Sequence, residues 1–210
     1  MFFGSSPFRF NKAVFSLQGN AYGIIMIGLK KLRRINMSIQ IISIDTSQQH
    51  ELEKIENLYL KSFPKEERID FKLLTAKAKE GKGYFLGLFD KGDLAGFTFY
   101  TGFKETIYVF YIAIDSKYQS KGYGKLIIEH FMEKFHDHNI MLLVEELDEN
   151  AENNEQRIRR KQFYLRNNLA DDSQFLEVMG VHYELLHRQG YTADVEEFEE
   201  IQAYFFSDAV

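Results

Sequence analysis

A glycine-containing segment between two apolar stretches carries the clearest chemical signal in this sequence. Residues 119–124 read Gln-Ser-Lys-Gly-Tyr-Gly, a Q-x-x-G-x-G pattern that follows a β-branched run and opens an amphipathic one. Gly122 and Gly124 allow the backbone to approach a ligand closely. Backbone N–H groups at the start of a helix attract anions, and Lys121 and Lys125 add positive charge. The pattern therefore predicts a phosphate or pyrophosphate site, with a purely structural turn as the alternative.

Other signatures of catalytic and binding sites are absent from the sequence. A dinucleotide-binding loop needs G-x-G-x-x-G and a P-loop needs G-K-[ST], and the segment has neither. The chain has no cysteine, which excludes disulfides, cysteine-ligated metals and a cysteine nucleophile. It also lacks the H-E-x-x-H and G-x-S-x-G motifs. No metal site and no hydrolase elbow are therefore expected.

The elements on either side of the loop determine what it can do. Thr106–Ile114 predicts a strand because it is rich in Tyr, Val, Phe and Ile. Helix periodicity follows from Gly124 to Phe135, with an apolar strand at Ile140–Val144. Together these three elements predict a right-handed βαβ unit with the loop between its first strand and its helix.

The remaining pattern extends this unit to the order β-α-α-β-β-β-α-β-α-β-β-α. Asp90 to Asp93 carry Asp/Gly turn chemistry and predict a hairpin, and Thr46 or Ser47 is the expected cap of the first helix. The further predicted strands are Ile39–Ile44, Tyr84–Phe89, Leu94–Tyr100, Phe175–Met179 and Val181–Leu186. The further predicted helices are Gln49–Phe63, Phe71–Glu80, Gln156–Asn167 and Ala193–Phe205.

Length and composition predict one folded domain. The chain has 210 residues with 45% hydrophobic residues, enough for a core and too few for two full domains. No apolar run reaches the 18 or more residues of a membrane helix. The first 36 residues carry +6 and the whole chain −5, so the remainder is at −11. Such an acidic body argues against nucleic acid as a partner and favours a cationic one, unless its acidity serves solubility alone.

The first 36 residues differ from the rest. They lack a clear hydrophobic period, and their basic cluster follows the short apolar stretch instead of preceding it as in a secretory signal. We expect residues 1–36 to be an extension that is either disordered or, if translation starts at Met37, not native. We expect residues 37–210 to be a single domain that includes the C-terminal helix.

With the loop in this context, residues 39–190 resemble the GNAT superfamily of N-acetyltransferases. The match is closest over Tyr111–Lys125. The resemblance implies an α/β fold with a central, mostly antiparallel sheet, a splayed parallel strand pair and flanking helices. It also implies acetyl-CoA as co-substrate, without a metal. In the family the splay between the two parallel strands admits the cofactor.

The resemblance assigns the cofactor-binding residues one by one. The backbone of Ile112, Ala113 and Ile114 would pair with the pantetheine arm and polarise the thioester carbonyl. The loop and the start of the following helix would hold the pyrophosphate, mostly through backbone N–H groups. Those residues are Gln119, Ser120, Lys121, Gly122, Tyr123, Gly124 and Lys125.

A second matching segment, residues 163–169, implies the acid of the reaction. Tyr164 occupies the family's tyrosine position, so its phenol would protonate the departing thiolate. Asn168 stands where glycine is usual and suits a left-handed helix end, and Leu169 replaces the usual aromatic residue. The family often has a cofactor-contacting Asn seven residues before the tyrosine, and here that position is Arg157.

The sequence offers several candidates for the general base. Glu145 and Glu146 end a predicted strand near the cleft and are the first candidates, with Glu105 and a water chain as alternatives. Glu66 and Glu67 follow the first helix, where the family builds its acceptor wall, and would attract a cationic acceptor unless they only begin a helix.

The sequence thus predicts a cytoplasmic, bacterial-type N-acetyltransferase that moves acetyl from acetyl-CoA to a primary amine by direct attack. The expected acceptor is a small molecule or a peptide, with neither nucleic acid nor membrane as partner. The C-terminal helix would close the acceptor site or form a homodimer contact. The alternative function is a catalytically silent acyl-CoA-binding module that regulates a partner.

Overall fold

The computed structural model describes residues 39–208. The boundary predicted after residue 36 and the start predicted at Met37 lie outside these residues. The strands are β1 (Ile39–Ile44), β2 (Tyr84–Asp90), β3 (Asp93–Phe103), β4 (Thr106–Ile114), β5 (Asn139–Glu145), β6 (Leu169–Val178) and β7 (Val181–Arg188). The helices are α1 (Gln49–Ser62), α2 (Phe71–Lys79), α3 (Tyr123–Lys134), α4 (Asn154–Leu165) and α5 (Val195–Phe206). The predicted order of elements is confirmed.

The described strands form one seven-stranded sheet in the order β1-β2-β3-β4-β5-β7-β6. β4 and β5 are parallel, and the other neighbouring pairs are antiparallel. The crossover through α3 joins the two parallel strands, as a parallel connection requires. The predicted fold class, a mostly antiparallel mixed sheet with one parallel pair and flanking helices, is confirmed.

Helices cover both faces of this sheet because successive strand residues point to opposite sides. On one face, Leu142 and Val144 of β5 pack with Ile127 and Phe131 of α3, and α4 lies on the same face. On the other face, the apolar sides of α1 and α2 pack against β2, β3 and β4. The sheet is therefore buried on both sides, and the site must lie where its strands separate.

The cap predicted for the first helix is wrong. The residue before α1 is Gln48, and its side chain makes no capping hydrogen bond to the helix. Instead the Asp45 carboxylate accepts from Ser47 N–H at 2.7 Å, and the Gln48 side chain accepts from Asp45 N–H at 2.8 Å. These two bonds close a turn ahead of the helix, so neither Thr46 nor Ser47 is its cap.

The sixth strand is longer than its apolar pattern predicts. It begins at Leu169 instead of Phe175 and includes a polar stretch with a register shift between Asp171 and Phe175. β6 is the last strand of the sheet, so hydrogen bonds to β7 hold it without an alternating apolar face. Edge strands of this kind escape detection from hydrophobic periodicity.

The C-terminal helix packs against the sheet on the α1 and α2 side. The Phe205 ring is fully buried, with its centre 4.4 Å from that of Phe110 and 5.9 Å from that of Phe99. Lys77 and Lys82 donate to Ser207 O at the helix end, at 2.7 and 2.8 Å. The apolar side of α5 is thus buried against the sheet of its own domain. The homodimer contact stays a prediction.

We expect Phe205→Ala to lower the free energy of unfolding by about 3–5 kcal/mol, because it removes a fully buried ring that packs against Phe99 and Phe110. Phe206→Ala is the matched control, since that side chain is 44% exposed and its loss should cost less than about 1 kcal/mol. Urea unfolding of both variants measures the difference. Equal effects would show that α5 does not contribute its apolar side to the core.

Candidate active site

The two parallel strands separate partway along their length. β4 and β5 pair from Thr106 with Asn139 to Val109 with Leu142, and the pairing stops there. Phe110 has no partner in the register with β3, where Tyr100 faces Val109 and Phe99 faces Tyr111. Such a bulge bends one strand and ends regular pairing. The predicted splay is therefore present, and it begins at Phe110.

The backbone of β4 beyond the bulge presents peptide groups to this gap. Asp115 N–H donates to Ala95 O of β3 at 2.9 Å. Because strand residues alternate, the peptide groups of Ile112 and Ile114 point away from β3 and into the gap, while those of Ala113 point towards β3. The Gln119 side chain donates to Ile114 O at 3.3 Å. No strand within residues 39–208 pairs with Ile112 on the gap side.

The glycine-containing loop ends in a run of backbone N–H groups that have no acceptor among the residues that the structure describes. Gly122 has φ +85° and immediately precedes α3, whose first backbone bond runs from Leu126 N–H to Gly122 O. Ser120 is also left-handed, at φ +61°. Across residues 39–208, no acceptor is found for the N–H groups of residues 119–125. Such a concave set of donors at a helix start is suited to a polyanion.

Side chains of the loop fix its backbone in this shape. The Tyr123 hydroxyl donates to Asp90 Oδ2 at 2.7 Å, which ties the loop to the end of β2. This bond raises the pKa of Tyr123, so the phenol stays a donor. The Tyr118 ring stacks on that of Tyr123 with their centres 5.8 Å apart. The backbone donors are therefore held in place before any ligand arrives.

Gly124 is needed for a different reason from Gly122. A Cβ atom at Gly124 would lie 3.2 Å from the Phe163 ring, so α4 approaches the start of α3 closely here. A cleft of about 280 Å³ opens between the two helices and the end of β4. It is lined by Ile114, Tyr118, Gln119, Ser120, Gly122, Tyr123, Gly124, Lys125 and Phe163. Its walls fit a phosphate-bearing ligand whose chain continues into the gap.

Two lysines add positive charge around the cleft. Lys121 Nζ lies 4.8 Å from the centre of the Tyr118 ring, in a cation–π contact. Lys125 Nζ lies 3.3 Å from Glu129 Oε1, and both side chains are exposed. The structure therefore brings the loop residues predicted from the sequence to one site, next to the predicted strand residues of β4.

Tyr164 lies on the α4 side of this site. Its ring centre is 5.2 Å from that of Phe163, and it packs on the face that carries α3. Burial raises the pKa of Tyr164, although the nearby Arg160 guanidinium opposes the shift. The phenol therefore keeps its proton at neutral pH. After the helix, Asn168 adopts φ +66° and Leu169 is buried, as predicted for both residues.

Glu145 ends β5 on the far side of the gap and is held by two arginines. Its side chain is only 6% exposed, with Oε2 2.6 Å from Arg160 Nη1 and Oε1 3.1 Å from Arg157 Nη2. Arg157 also donates to Glu146 O at 2.7 Å and to Asn153 Oδ1 at 2.9 Å. Both oxygens of Glu145 thus have cationic partners, an arrangement that suits a carboxylate that positions arginines. Arg157 belongs to the same network of ion pairs and hydrogen bonds.

The other predicted bases occupy different places. Glu146 is half-buried and follows Glu145 directly, and its N–H donates to His182 O at 2.9 Å. Glu105 is exposed in the turn before β4, at the paired end of the strand. It lies seven positions before Ile112 along an extended strand, which places the two residues roughly 20 Å apart. Glu105 is therefore wrong as a base, and Glu146 as a base stays a prediction.

Glu67 belongs to the site and was predicted only as part of an acidic pair. It ends the short turn Lys65–Glu67 after α1, where it is half-buried, whereas Glu66 is exposed. Burial raises the pKa of Glu67, and the Glu145 carboxylate adds to the shift. The sequence could not separate the two glutamates, because no hydrophobic period runs through this turn.

The described residues show neither a metal-binding group nor a membrane-spanning helix. Within residues 39–208, no three His, Asp or Glu side chains are grouped so as to hold a metal ion. None of the helices in that range has the length and apolar character needed to cross a membrane.

Comparison with known proteins agrees with this geometry. Residues 52–159 match the model of a family described as the acetyltransferase (GNAT) family. No curated protein sequence matches the chain. The matched range is about half of the chain and runs from α1 into α4, so it includes the bulge, the gap and the loop.

Solved structures give similar folds. A protein from Bacteroides thetaiotaomicron, assigned to the GNAT acetyltransferases, is 25% identical, with 81% of this chain and 99% of that chain covered and a TM-score of 0.63. The ribosomal-protein-S18-alanine N-acetyltransferase of Escherichia coli is 17% identical, with coverage of 74% and 96% and a TM-score of 0.53. A Bacillus subtilis acetyltransferase in complex with CoA is 13% identical, with coverage of 73% and 99% and a TM-score of 0.53.

Proposed function

The chain belongs to the GNAT acetyltransferase family, and on that basis we propose that it transfers acetyl from acetyl-CoA to a primary amine. We propose residues 37–210 as the acetyltransferase domain and residues 1–36 as an extension. The observation that carries the proposal is the run of partner-free N–H groups at residues 119–125, beside a gap lined by the backbone of β4. An anion at the loop and an extended chain in the gap together match the two parts of CoA.

Acetyl-CoA would supply an acetyl group activated as a thioester. The N–H groups of residues 119–125 bind its pyrophosphate, with Lys121 and Lys125 adding charge. Ile112 N–H lies in the gap and is assigned as donor to the thioester carbonyl, where charge develops during the reaction. These residues bind and orient the co-substrate.

Tyr164 is assigned as the general acid. Its phenol oxygen holds a proton at neutral pH because burial raises the pKa of this side chain. The leaving sulfur takes that proton when the carbon–sulfur bond breaks. Arg160, one turn earlier on α4, offsets part of the cost of the transient phenolate, and Glu145 holds this arginine in position.

Binding of acetyl-CoA to the full chain tests the proposal. We expect micromolar affinity by isothermal titration calorimetry. Gly124→Asp should weaken binding roughly tenfold or more, because its carboxylate would face the pyrophosphate and its Cβ would press on Phe163.

Gly81→Asp is the matched control for this titration. It adds the same charge after α2, outside the cleft, where no atom lies within 4 Å of the new Cβ; the left-handed backbone at φ +76° makes the change cost stability but leaves the loop untouched. We expect this variant to bind as the unaltered chain does. Absence of binding by the unaltered chain, or equal loss in both variants, would contradict the assigned pyrophosphate site.

A second prediction concerns the acid. Tyr164→Phe should lower kcat by about a hundredfold with little change in the Kd for acetyl-CoA, because only the proton donor is lost. Tyr204→Phe, on α5, should leave both constants unchanged. Turnover is measured by thiol release with an alkylamine, a polyamine and a peptide with a free N-terminus as acceptors.

The pH dependence of kcat gives an independent check on Tyr164. A general acid must be protonated, so activity is lost as pH rises through its pKa. Since burial places this pKa above the ordinary value of 10.0, Tyr164 should cause no decline between pH 7 and about 10. An alkaline limb that begins near pH 8 and disappears in Tyr164→Phe would contradict the raised pKa.

A further inference from the structure

The turn that carries Glu67 is fixed to the edge of the gap by two tyrosines. The Tyr111 hydroxyl donates to Glu67 O at 3.0 Å and accepts from Ile69 N–H at 3.0 Å. The Tyr59 hydroxyl donates to Ile69 O at 2.8 Å. Because Tyr111 follows the bulged Phe110 directly, the turn is held at the point where β4 leaves β5.

The carboxylate of Glu67 joins a charged cluster at the other edge of the gap. Glu145 at the end of β5 lies beside Tyr183 of β7 in the sheet register. The charges of Glu145, Arg157 and Arg160 all act on Glu67, and the Glu67 and Glu145 charges both act on Tyr183. Glu67, whose carbonyl is held by Tyr111 of β4, is therefore near enough to Glu145 at the end of β5 for the two charges to interact.

Glu67 is the acidic member of this cluster that forms no salt bridge with any residue in the described part of the chain. Two arginines neutralise Glu145, as described above. No salt bridge to Glu67 is found within residues 39–208. A half-buried carboxylate without a counter-ion is costly, so a cationic ligand that pairs with it would be bound favourably.

We propose that Glu67 binds the ammonium group of the acceptor and removes its proton, so that the amine can attack. This role rests on the proposed acetyl transfer and adds a residue to it. The acceptor would approach from the side of the sheet covered by α1 and α2, opposite the loop that holds the pyrophosphate. The acceptor class that fits is a primary amine that is protonated in solution.

The protons balance in this scheme. Glu67 accepts one proton from the ammonium, which frees the nitrogen lone pair to form the new carbon–nitrogen bond as the carbon–sulfur bond breaks. Tyr164 gives its proton to the sulfur and regains one, through water, from the nitrogen. Glu67 then releases its proton to solvent, so one ammonium and one thioester yield one amide, one thiol and one proton.

The pKa of Glu67 supports this role. Burial and the Glu145 carboxylate raise it, while Arg160 and Arg157 oppose the shift. A base must be deprotonated, so activity is lost as pH falls through this raised value and recovers as pH rises. The titratable and charged groups around Glu67 are Glu66 and Arg68 on its own segment, Tyr111 on β4, Glu145 on β5, Tyr183 on β7, and Arg157 and Arg160 on α4.

Two matched amines test the proton transfer in turnover. Ethylamine is protonated at pH 7.5, whereas 2,2,2-trifluoroethylamine of nearly the same shape is mostly neutral. Glu67→Gln should lower kcat/KM for ethylamine about a hundredfold and that for trifluoroethylamine only a few-fold, because only the first amine needs a base. Glu66→Gln, one residue away and exposed, should change neither value by more than about twofold.

With ethylamine, kcat/KM should level off above the Glu67 pKa in the unaltered chain and in Glu66→Gln, whereas in Glu67→Gln it should keep rising with pH, because only free amine from solution can then react. An equal loss for both amines would show that Glu67 only shapes the site, and no loss for either would remove it from the reaction. Both results would overturn the proposal.

A measurement without turnover covers the case in which these amines are poor acceptors. The full chain is labelled with ¹³C at the glutamate side-chain carboxyls, and the resonance missing in Glu67→Gln identifies Glu67. We expect this resonance to titrate at higher pH than an ordinary glutamate, because the pKa of Glu67 is raised, and to shift when ethylammonium is added to the acetyl-CoA complex. A resonance that titrates as an ordinary glutamate does and does not shift with the amine would contradict the proposal.

Calorimetry on the same variants distinguishes a failure of the Glu67 assignment from a failure of the proposed acetyl transfer. Suppose that Glu67→Gln binds acetyl-CoA as the unaltered chain does and acetylates each amine as fast as the unaltered chain does. The assignment of Glu67 as base then fails, and the proposed acetyl transfer stands. If the unaltered chain binds no acetyl-CoA, the proposed function fails. The ¹³C response of Glu67 then reports only whether the turn is a cation site.

Discussion

The bulge at Phe110 is the constraint on which the rest of the site depends. A parallel strand pair normally keeps its hydrogen bonds along its whole length, and here they stop after Val109 and Leu142. Beyond that point the backbone of Ile112 faces an open gap instead of a neighbouring strand. β5 remains ordered because β7 pairs with it as far as Glu145. The sheet can therefore stay stable while one of its interior edges is left free for a ligand.

The two faces of the sheet give this gap two different environments. On the face of α3 and α4, backbone N–H groups and lysines create a site for an anion, and Tyr164 keeps a proton nearby. On the face of α1, α2 and α5, the turn with Glu67 lies in a mainly aromatic wall. The loop presents backbone N–H groups to an anion, whereas Glu67 presents a carboxylate without a salt bridge within residues 39–208, so a phosphate and an ammonium group would be drawn to different ends of one passage.

Much of the architecture follows from the sequence because its strongest patterns lie around the site. The β-branched run of β4, the glycines at 122 and 124 and the period of α3 each predict one element, and the structure has all three. Patterns could not predict contacts between distant segments. The ion pairs of Glu145 with Arg157 and Arg160 join residues 12 and 15 positions apart, and the hydrogen bond of Tyr111 to Glu67 O joins residues 44 positions apart. Those contacts decide which carboxylate lacks a cation.

Hydrogen–deuterium exchange with and without CoA tests most directly that the gap and the loop form one binding site. The account predicts slower exchange at the amides of residues 119–125 and at Ile112 when CoA is present. Amides of residues 106–109 should not change, because the paired part of the sheet already protects them. Unchanged exchange at the loop and at Ile112, or protection confined to another part of the chain, would contradict it.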